Sequence, residues 1–549
     1  MSLTRAKAGN LTYKNDGTGA VVRTIKDKLG DTVSVKDFGA KGDGVTNDTA
    51  AFAAASAVIT ANGGGKLIIP EGTYIVGQQT FAGATGLGYA YRPDTIISII
   101  NCTKPVIIEG NGAILKLEGG QRFGSFDPVT GASHSPTMPF YDSDYTAQLG
   151  AMISITNCSN VTIKNLELDG NINNQIIGGQ WGDTGRQLNA RGIYDGENDT
   201  VLVENVYSHH HGLDGFETKR TVTTSTEPKY PHTYINCVST YNGRQGISWT
   251  GGNSLTMIDC DLSHTGKNGV VASSPGAGID IEPESSIGTN GTFINCRFYN
   301  NSGPGMLAST GPSSDCSFYN CQMIGTTFWS GWTIYPGYRF HDCEIVGAWV
   351  WPGGSTDPEL AAKWFGCKFL MDPAASPNGT IYGPYMDLNA SNNVLYQGCV
   401  FYAASGYVLP FSNSGEGGAI YDNCTFEQAG SGVFYTRGNF YGHCRLTHSG
   451  TWDNTGSTVF GQLYVNGVKN SINLPTISQI SMYGNDGGSG KTSRMVSYYS
   501  PTDWATAVGG ANVGDIVYTT APVAGGTVGW ICTTAGTPGT WKTFGTIAV

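Results

Sequence analysis

Three acidic residues stand out as candidates for chemistry in a chain that carries few charges. Asp280, Glu282 and Glu217 each follow a glycine by a few positions. Charged residues are only 13% of the 549 residues, where about 25% is usual. Hydrolysis of a glycosidic bond needs two carboxyl groups, one to protonate the leaving oxygen and one to activate water or attack the sugar. The three acids therefore suggest glycoside hydrolysis.

Four glycine-containing segments place these acids in a common pattern. The segments are HGLDGFETKRT, NGRQGISWTGG, GAGIDIEPESS and SGPGMLASTGP. Aligned on glycine, they predict an inward apolar column of Phe216, Ile247, Ile279 and Met306. They also predict an outward column of Glu217, Ser248, Asp280 and Leu307, followed two residues later by Lys219, Thr250, Glu282 and Ser309. Because side chains alternate along a strand, Asp280 and Glu282 are predicted to share a face.

Strand geometry sets the expected separations of the acids. Residues i and i+2 lie about 6.5–7 Å apart, and Glu217 and Asp280, two coils apart, lie about 9.5 Å apart. Both values fall within the range of about 6.5–9.5 Å for inverting glycosidases and exceed about 5.5 Å for retaining ones. We predict an inverting hydrolase that uses Asp280, Glu282 and Glu217, without assigning acid and base. The alternative without a catalytic role is that all three acids are solvated surface carboxylates.

Further residues near the acids could bind a substrate. The candidates are Asp214, His211, Lys219, Arg244, Ser248, Trp332 and Trp181. Asp214 could equally shape its turn, and Trp332 lies in an aromatic-rich segment whose rings also suit a core or subunit interface. A polysaccharide lyase is an alternative function, because a lyase needs a base and often a cation. Lys219, Arg220 and Arg244, which lie near the acids in the sequence, could serve in these roles. The run His209-His210-His211 could be a metal or acid-base site or a plain corner, but its spacing fits no zinc signature. We expect no metal and no cofactor.

A repeated pattern must position these residues. Cysteine follows Asn, Asp, Gly or His in nine segments of alternating polarity, at intervals of 20 to 36 residues, from Cys237 to Cys444. Units this short cannot bury an apolar face alone and must stack on their neighbours. The repeat predicts an all-β parallel β-helix of about a dozen coils between residues 100 and 450, roughly 60 Å long. Asn, Asp and Gly would lie at corners, and the cysteines would form an internal ladder of packing thiols, with disulfides as the alternative.

The ends and two interruptions of the repeat differ from the coils. Thr46-Asn47-Asp48-Thr49 offers helix N-caps, and Gly63-Gly64-Gly65 ends the predicted helix, which would cover the open end of the first coils. Long interruptions lie at 119–148 and 171–192, where loops of this length are often functional. After residue 450 the pattern fades into a Thr- and Gly-rich region that suits a trimerisation or carbohydrate-binding β-module.

Composition and charge exclude several partners. The 79 glycines disfavour a helix-rich enzyme. A net charge of −11 argues against nucleic acid, which is bound through Lys and Arg. No stretch approaches 18 apolar residues, so we expect no membrane insertion. The first ten residues lack the apolar region of a signal peptide, so we expect cytoplasmic synthesis.

Two motifs near the start carry a resemblance to a known family. DFGAKGDGVTNDTAAF (37–52) and GGGKLIIPEGTYIV (63–76) resemble the opening of the pectate-lyase-like right-handed β-helix of bacteriophage tailspikes. Residues 17–34 are similar to the segment that joins such spikes to their particle-binding part, and residues 514–545 to tail-protein C-termini. The resemblance implies a homotrimeric depolymerase on the phage virion. It would bind other tail proteins through its N-terminus and would bind and cleave a bacterial capsular or surface polysaccharide.

The predicted organisation has four parts. They are an N-terminal connector (1–34), a capping region (35–100), a catalytic right-handed parallel β-helix (101–450) and a C-terminal β-module (451–549). Three alternatives to an inverting hydrolase stay open: a polysaccharide lyase on the same fold, a non-catalytic glycan-binding fibre, and an esterase.

Overall fold

Parallel strands stacked in register build most of the molecule. The computed structural model describes residues 11–82, 90–134, 143–180, 186–308, 311–333, 335, 337–383, 392–409, 418–435, 438–448, 450, 452–453, 457–459, 462–467, 480–482, 493–498, 500–507 and 509–549. Within these residues, three columns of strands follow one axis, and each strand bonds in parallel to the strands one coil before and after it. The predicted all-β parallel β-helix is confirmed.

Sheet A is the first column and carries the predicted acids. Its strands are Ile97–Ile100, Gly150–Thr156, Ala190–Gly196, Asp214–Lys219, Gln245–Trp249, Ile279–Ile281, Met306–Ala308, Gly331–Thr333 and Trp349–Pro352.

Sheets B and C are the other two columns, joined at a tight corner. Three long strands pass through both sheets: Val106–Leu117, Val161–Asp169 and Val201–His209. The other strands of sheet B are Thr32–Ser34, Gly65–Ile68, His232–Ile235, Leu255–Ile258, Gly291–Ile294, Ser317–Tyr319, Arg339–His341, Lys363–Phe365, Leu395–Gln397, Ile420–Asp422, Gly438–Tyr441 and Ser457–Val459. The other strands of sheet C are Asp43–Asn47, Thr73–Val76, Val238–Thr240, Asp261–Ser263, Arg297–Tyr299, Gln322–Ile324, Glu344–Val346, Lys368–Met371, Val400–Ala403, Thr425–Gln428, His443–His448 and Gln462–Gly467.

Twelve successive rungs of sheet B lie in the described part of residues 100 to 450, as the repeat predicted. One more rung, Ser457–Val459 with Gln462–Gly467, continues the stack past the predicted boundary at residue 450.

The corner between sheets B and C explains the Asn, Asp or Gly that precedes most cysteines of the repeat. Asn236, Asp259, Asn295 and Asn320 all have φ between 50° and 54°, a left-handed conformation that Asn and Asp tolerate better than most residues. Their side chains also bond from coil to coil: Asn320 Nδ2 donates to Asn295 Oδ1 at 2.9 Å, and Asn295 Nδ2 donates to Asp259 Oδ1 at 3.0 Å. The corner is thus held by both backbone conformation and a side-chain ladder.

The nine aligned cysteines of the repeat form the predicted internal ladder, in which each thiol faces a carbonyl of the preceding coil. All thirteen cysteines of the chain are free and buried. The Cys296 thiol, for example, points at the carbonyl oxygens of Ile294 (3.4 Å) and of Met257 in the preceding coil (3.5 Å). Burial raises the pKa of Cys316 to about 12, which keeps it a thiol at neutral pH. The alternative of a disulfide framework is therefore wrong.

Stacked rings fill the core in the C-terminal half of the rod. Phe293 stacks on Phe318 with ring centroids 4.4 Å apart, Phe318 on Phe340 at 4.9 Å, and Phe340 on Trp364 at 3.7 Å. In the N-terminal half, the core side of sheet B is mainly aliphatic, with residues such as Ile108, Ile163 and Val203, although aromatic residues such as Phe216 and Tyr234 also belong to the core. In-register stacking places like side chains above one another, so each coil buries the apolar face of the next.

The predicted N-terminal helix spans Thr49–Ala61 and buries Phe52, Ala55 and Ile59. Asn47 Oδ1 accepts the Thr49 N–H (3.1 Å) at its start, whereas the Asp48 carboxylate accepts the N–H groups of Lys41 and Gly42. Two further helices are Ile25–Leu29 and Pro501–Ala507, with short 3₁₀ turns at Val35–Phe38, Ser143–Tyr145, Ile172–Asn174 and Pro373–Ala375. No helix in the described ranges is both long and apolar enough to cross a membrane.

The two interruptions of the repeat are not plain loops. They contribute Arg122–Ser125, Thr146–Ala147 and Ile176–Ile177 to a five-stranded side sheet with Gln79–Phe81 and Tyr91–Pro93. Residues 135–142 and 181–185 of these interruptions, including the candidate Trp181, lie outside the described residues.

Smaller sheets complete the chain. Two-stranded pairs form between Thr12–Tyr13 and Arg23–Thr24, between Gly288–Thr289 and Ser313–Ser314, and between Phe434–Tyr435 and Trp452–Asp453. A C-terminal five-stranded sheet contains Ile480–Met482, Ser493–Tyr498, Ile516–Thr519, Thr527–Thr534 and Thr540–Thr546.

We predict that the native protein resists thiol reagents and is indifferent to reductant. The thiols are buried, and thiolate is the reactive form of cysteine. Titration with a chromogenic disulfide should detect almost none of the thirteen thiols in the folded protein and all of them in denaturant. Reductant should leave the thermal midpoint unchanged, and a shortfall of thiols in denaturant would reveal a disulfide.

Candidate functional site

The outer face of sheet A carries the predicted column of side chains. Backbone pairing places Glu217 opposite Ser248, Ser248 opposite Asp280, and Asp280 opposite Leu307. Tyr194 precedes and Trp332 follows in the same column. The alternate residues Phe216, Ile247, Ile279 and Met306 are fully buried in the core. Both predicted columns are therefore confirmed, and Glu217 lies two rungs from Asp280, or about 9.5 Å along the axis.

Glu217 and Asp280 face outward from sheet A and are nevertheless shielded from solvent. Glu217 is 8% exposed and Asp280 is 3% exposed. Burial raises the pKa of Asp280 well above its usual value, and the nearby charge of Glu282 raises it further. Burial also raises the pKa of Glu217, against the opposing effect of the Arg191 guanidinium. Two carboxyl groups with raised pKa values on one column are able to hold and move protons.

The Asp280 carboxyl is held at one oxygen. Gln245 Nε2 donates to Asp280 Oδ2 at 2.6 Å, and Gln245 Oε1 accepts the Ala277 N–H at 3.0 Å, which fixes the orientation of the amide. A side-chain hydrogen bond with Glu282 adds to the effect of the Glu282 charge, and both favour the protonated form of Asp280.

Glu282 differs from Glu217 in its relation to Asp280. It follows the strand Ile279–Ile281, and its charge raises the pKa of Asp280. A carboxyl pair joined by a hydrogen bond leaves no room for a water and a sugar between its members. Glu217, two rungs from Asp280, has the wider spacing.

Asp214 is the centre of an ion-pair cluster that also contains Arg244, Arg191 and Glu217. The fully buried Asp214 carboxylate accepts from Arg244 Nε at 2.9 Å and from Arg244 Nη2 at 2.6 Å. Ser248 Oγ donates to Asp214 Oδ2 at 3.3 Å and also accepts from Arg244 Nη2 at 3.1 Å. These three predicted site residues are brought together, but Asp214 is occupied by its arginine and has no surface exposed to a substrate.

Arg191 completes the cluster and was missed by the sequence analysis. Its Nε contacts Glu217 Oε2 and lies 3.8 Å from Asp214 Oδ2. Arg191 comes at the end of the 171–192 interruption, where no repeat pattern indicated its register. The strand pairing of Ala190–Gly196 with Asp214–Lys219 is what places it there.

Two further candidates for substrate binding, Lys219 and His211, differ in their exposure to solvent. Lys219 ends its strand half-buried and lowers the pKa of Glu217 through its charge. His211 was predicted to reach the substrate, and the structure corrects this: its ring is 1% exposed and is buried inside the coil, because the corner turns it under Gly170 and Gly192.

A cavity continues the column beyond Asp280. It has a volume of about 460 Å³ and is lined by Leu307, Trp332, Phe328 and the segments 272–275 and 302–304. Gln187, in the 171–192 interruption, donates to the Ser274 carbonyl at 3.2 Å and so links that interruption to the cavity wall. The half-exposed Trp332 ring thus sits where a ligand extending along the column from Asp280 would pass.

We predict that the Arg244–Asp214 pair is essential for stability. Arg244→Met would leave the Asp214 charge buried without its bidentate partner and lower the free energy of unfolding by about 3–5 kcal/mol. Arg297→Met removes a matched pair with Asp261 at the surface, where Arg297 is 42% exposed, and should cost at most about 1 kcal/mol. Urea unfolding of both variants measures the difference, and equal losses would contradict the assignment.

Comparisons with known proteins agree with the stacked-strand fold. A family model described as "Right handed beta helix region" matches residues 151–358. The tail spike protein of an Escherichia phage is 56% identical over 45 residues, which is 8% of this chain and 6% of that protein. Plasmin and fibronectin-binding protein A of Streptococcus pneumoniae is 43% identical over 74 residues, 13% of this chain and 10% of that protein. The matched segments thus span a tenth or less of either relative.

The solved structures that resemble this chain have lower sequence identity to it than these two relatives. The A-module of the mannuronan C-5 epimerase AlgE4 of Azotobacter vinelandii has 17% identity and a TM-score of 0.41, covering 78% of this chain and 100% of that one. The tailspike protein gp49 of Acinetobacter baumannii bacteriophage Fri1, a capsular polysaccharide depolymerase, has 13% identity and a TM-score of 0.33, covering 82% and 68%. The stacked parallel strands establish a parallel β-helix fold, the family model that matches residues 151–358 describes right-handed β-helices, and one short segment resembles a phage tail spike.

Proposed function

We propose that this chain is a phage tailspike depolymerase that cleaves a bacterial capsular or other surface polysaccharide by inverting glycoside hydrolysis. The observation that carries the proposal is the pair Glu217 and Asp280. Both carboxyls are buried and have raised pKa values. Both lie in one column, separated by the small residue Ser248. Their spacing of about 9.5 Å leaves room for a sugar and an attacking water.

In the proposed reaction, Asp280 is the general acid. Its raised pKa keeps the carboxyl protonated, and its proton passes to the glycosidic oxygen as the bond from that oxygen to the anomeric carbon breaks. Glu217 is the general base: it takes a proton from water while the water oxygen bonds to the anomeric carbon from the opposite face. Arg191 supports this role, since its charge favours the ionised form of Glu217.

The cavity beside Trp332 suits sugar binding in the same groove. Its opening follows Asp280 and Leu307 along the column, so a chain lying along sheet A would enter it. An indole face packs well on the C–H surface of a pyranose. A repeating polymer that lies along a repeating rod would contact several rungs at once, which favours a polysaccharide over a small sugar.

The tailspike part of the proposal rests on the sequence. The opening motifs resemble those of tailspikes, and the match to the Escherichia phage tail spike has 56% identity over its short length. The proposal includes a homotrimer on the virion that attaches to other tail proteins through its N-terminal region. It keeps the predicted parts except at one boundary: the catalytic β-helix predicted for 101–450 extends through the rung that ends at Gly467, and the rest of the predicted module 451–549 serves in trimerisation or carbohydrate binding.

A lyase on the same fold is less well supported. A tyrosine base would be provided by Tyr194, which neighbours Glu217 in the column. Burial and the Glu217 charge raise the pKa of Tyr194, which disfavours the phenolate that a lyase needs.

Product analysis tests the reaction class. Digestion of purified capsules should yield new reducing ends without the ultraviolet absorbance of an unsaturated uronate. A lyase would add that absorbance, and a binding fibre would release no fragments. Asp280→Asn and Glu217→Gln should each reduce cleavage by about 10²–10⁴-fold, whereas Glu204→Gln, on sheet B, should leave it unchanged. Near-wild-type cleavage by both site variants would overturn the assignment.

The pH dependence separates Glu282 from the catalytic pair. Cleavage needs protonated Asp280, so activity should fall as the pH rises through the raised pKa of Asp280. Because the Glu282 charge helps to raise that pKa, Glu282→Gln should move the alkaline limb of kcat/KM to lower pH while substantial activity remains. Complete loss of activity at every pH would instead assign Glu282 to the catalytic pair.

A further inference from the structure

A second cluster of reactive side chains lies outside sheet A, at the corner that follows the strand Val201–His209. Asp169 and His209 are register partners at the ends of adjacent long strands. The next residue, His210, has φ = 53°, so the chain turns there and both imidazoles lie on the same side. Three potential ligand residues from two coils thus meet at one corner.

The three groups are close enough to share one ion. His209 Nδ1 and His210 Nδ1 are 2.7 Å apart, and His209 Nδ1 lies 3.8 Å from Asp169 Oδ1. The ligand atoms of all three residues lie within 4.8 Å of one another. Two nitrogens bound at about 2.0–2.1 Å to a tetrahedral zinc ion lie about 3.3 Å apart. The rings would therefore need to separate by roughly half an ångström to bind one ion.

Neighbouring residues orient His209 for metal binding. Glu167 Oε1 lies 3.2 Å from His209 Nε2. A carboxylate at that nitrogen favours the tautomer with the proton on Nε2, which leaves the Nδ1 lone pair directed at the cluster. The ring of Tyr207 stacks on His209 at 4.2 Å, and Tyr241 stacks on His210 at 5.2 Å. The rings are thus held in place from outside.

Asp169 retains capacity for a ligand bond. Its Oδ2 pairs with Lys116 Nζ at 2.8 Å, and its Oδ1 accepts the Asn171 N–H at 2.8 Å. Each carboxylate oxygen has two lone pairs, so Oδ1 can still bind an ion. The alternative is a direct hydrogen bond between the two imidazoles with no ion.

We propose that Asp169, His209 and His210 bind a divalent transition-metal ion, of which Zn²⁺ is the best match. Imidazole nitrogens suit zinc and its neighbours, and a carboxylate completes a three-residue set with an open position for water. The proposal revises the sequence-based expectation of no metal, because the third ligand comes from the preceding coil and not from the histidine run. It does not depend on the proposed hydrolase.

The site links two segments that lead to the outer column of sheet A with Glu217, Ser248 and Asp280, which we call the acid column. Asp169 lies two residues before the 171–192 interruption, which contains Arg191 near its end, and His210 lies four residues before Asp214. A bound ion would fasten these two segments at one point. Binding to the folded state alone should also raise the thermal midpoint.

Metal titration of the full chain, without a histidine tag, tests the proposal. After dialysis against a chelator, Zn²⁺ should bind with one-to-one stoichiometry by calorimetry, and Co²⁺ should give the visible absorption of a bound ion. His210→Asn removes a ligand but keeps a residue that tolerates left-handed backbone, and Asp169→Asn removes the carboxylate. Both should abolish the Co²⁺ absorption, and Glu167→Gln should weaken binding by about 10-fold or more.

His264→Asn is the matched control. His264 has φ = 56° and stacks on Tyr241 like His210, but it lies outside the cluster. This variant should bind Co²⁺ as the wild type does. Absence of stoichiometric binding to the wild type would overturn the proposal in favour of the imidazole–imidazole hydrogen bond. Unchanged binding by His210→Asn and Asp169→Asn would overturn the assigned ligands.

Discussion

Stacking of parallel strands at about 4.8 Å is the constraint on which the rest of the molecule depends. Each coil is too short to bury its own apolar face, so its core is completed by the coils on either side. Every position along a coil then has a counterpart directly above and below. This produces the cysteine ladder, the left-handed Asn corner and the ring stack from Phe293 to Trp364.

The same constraint builds the acid column without any special local structure. Glu217, Ser248 and Asp280 occupy equivalent positions of three successive coils, so their spacing is fixed by backbone hydrogen bonds. The nearby Asp214–Arg244 pair supplies buried charges that compensate each other. A rigid sheet is a suitable support for catalytic groups, because positions on strands are held more precisely than positions on loops.

What the sequence could predict follows from this repetition. The alignment on glycine correctly assigned Phe216 inward and Glu217 and Asp280 outward, since the period along each strand is two. It could not place Arg191, because that residue follows an interruption without a repeat. It also misjudged the side chain of His211, whose ring turns into the coil. Contacts between coils, such as those of the metal-site cluster, depend on register across about 40 residues and are invisible in linear spacing.

In-register stacking also restricts where carboxyl groups can lie. Two like charges one rung apart would repel by about 3–4 kcal/mol at an effective dielectric constant of 20, and in the acid column neutral Ser248 separates Glu217 from Asp280. Asp280 and Glu282 lie in the same coil, where the Glu282 charge raises the pKa of Asp280 and favours its protonated form. The next rung of the column after Asp280 is Leu307, which lines the cavity together with Trp332. A general acid would be needed at this point of the column, because a polymer lying along sheet A would present its glycosidic oxygens there.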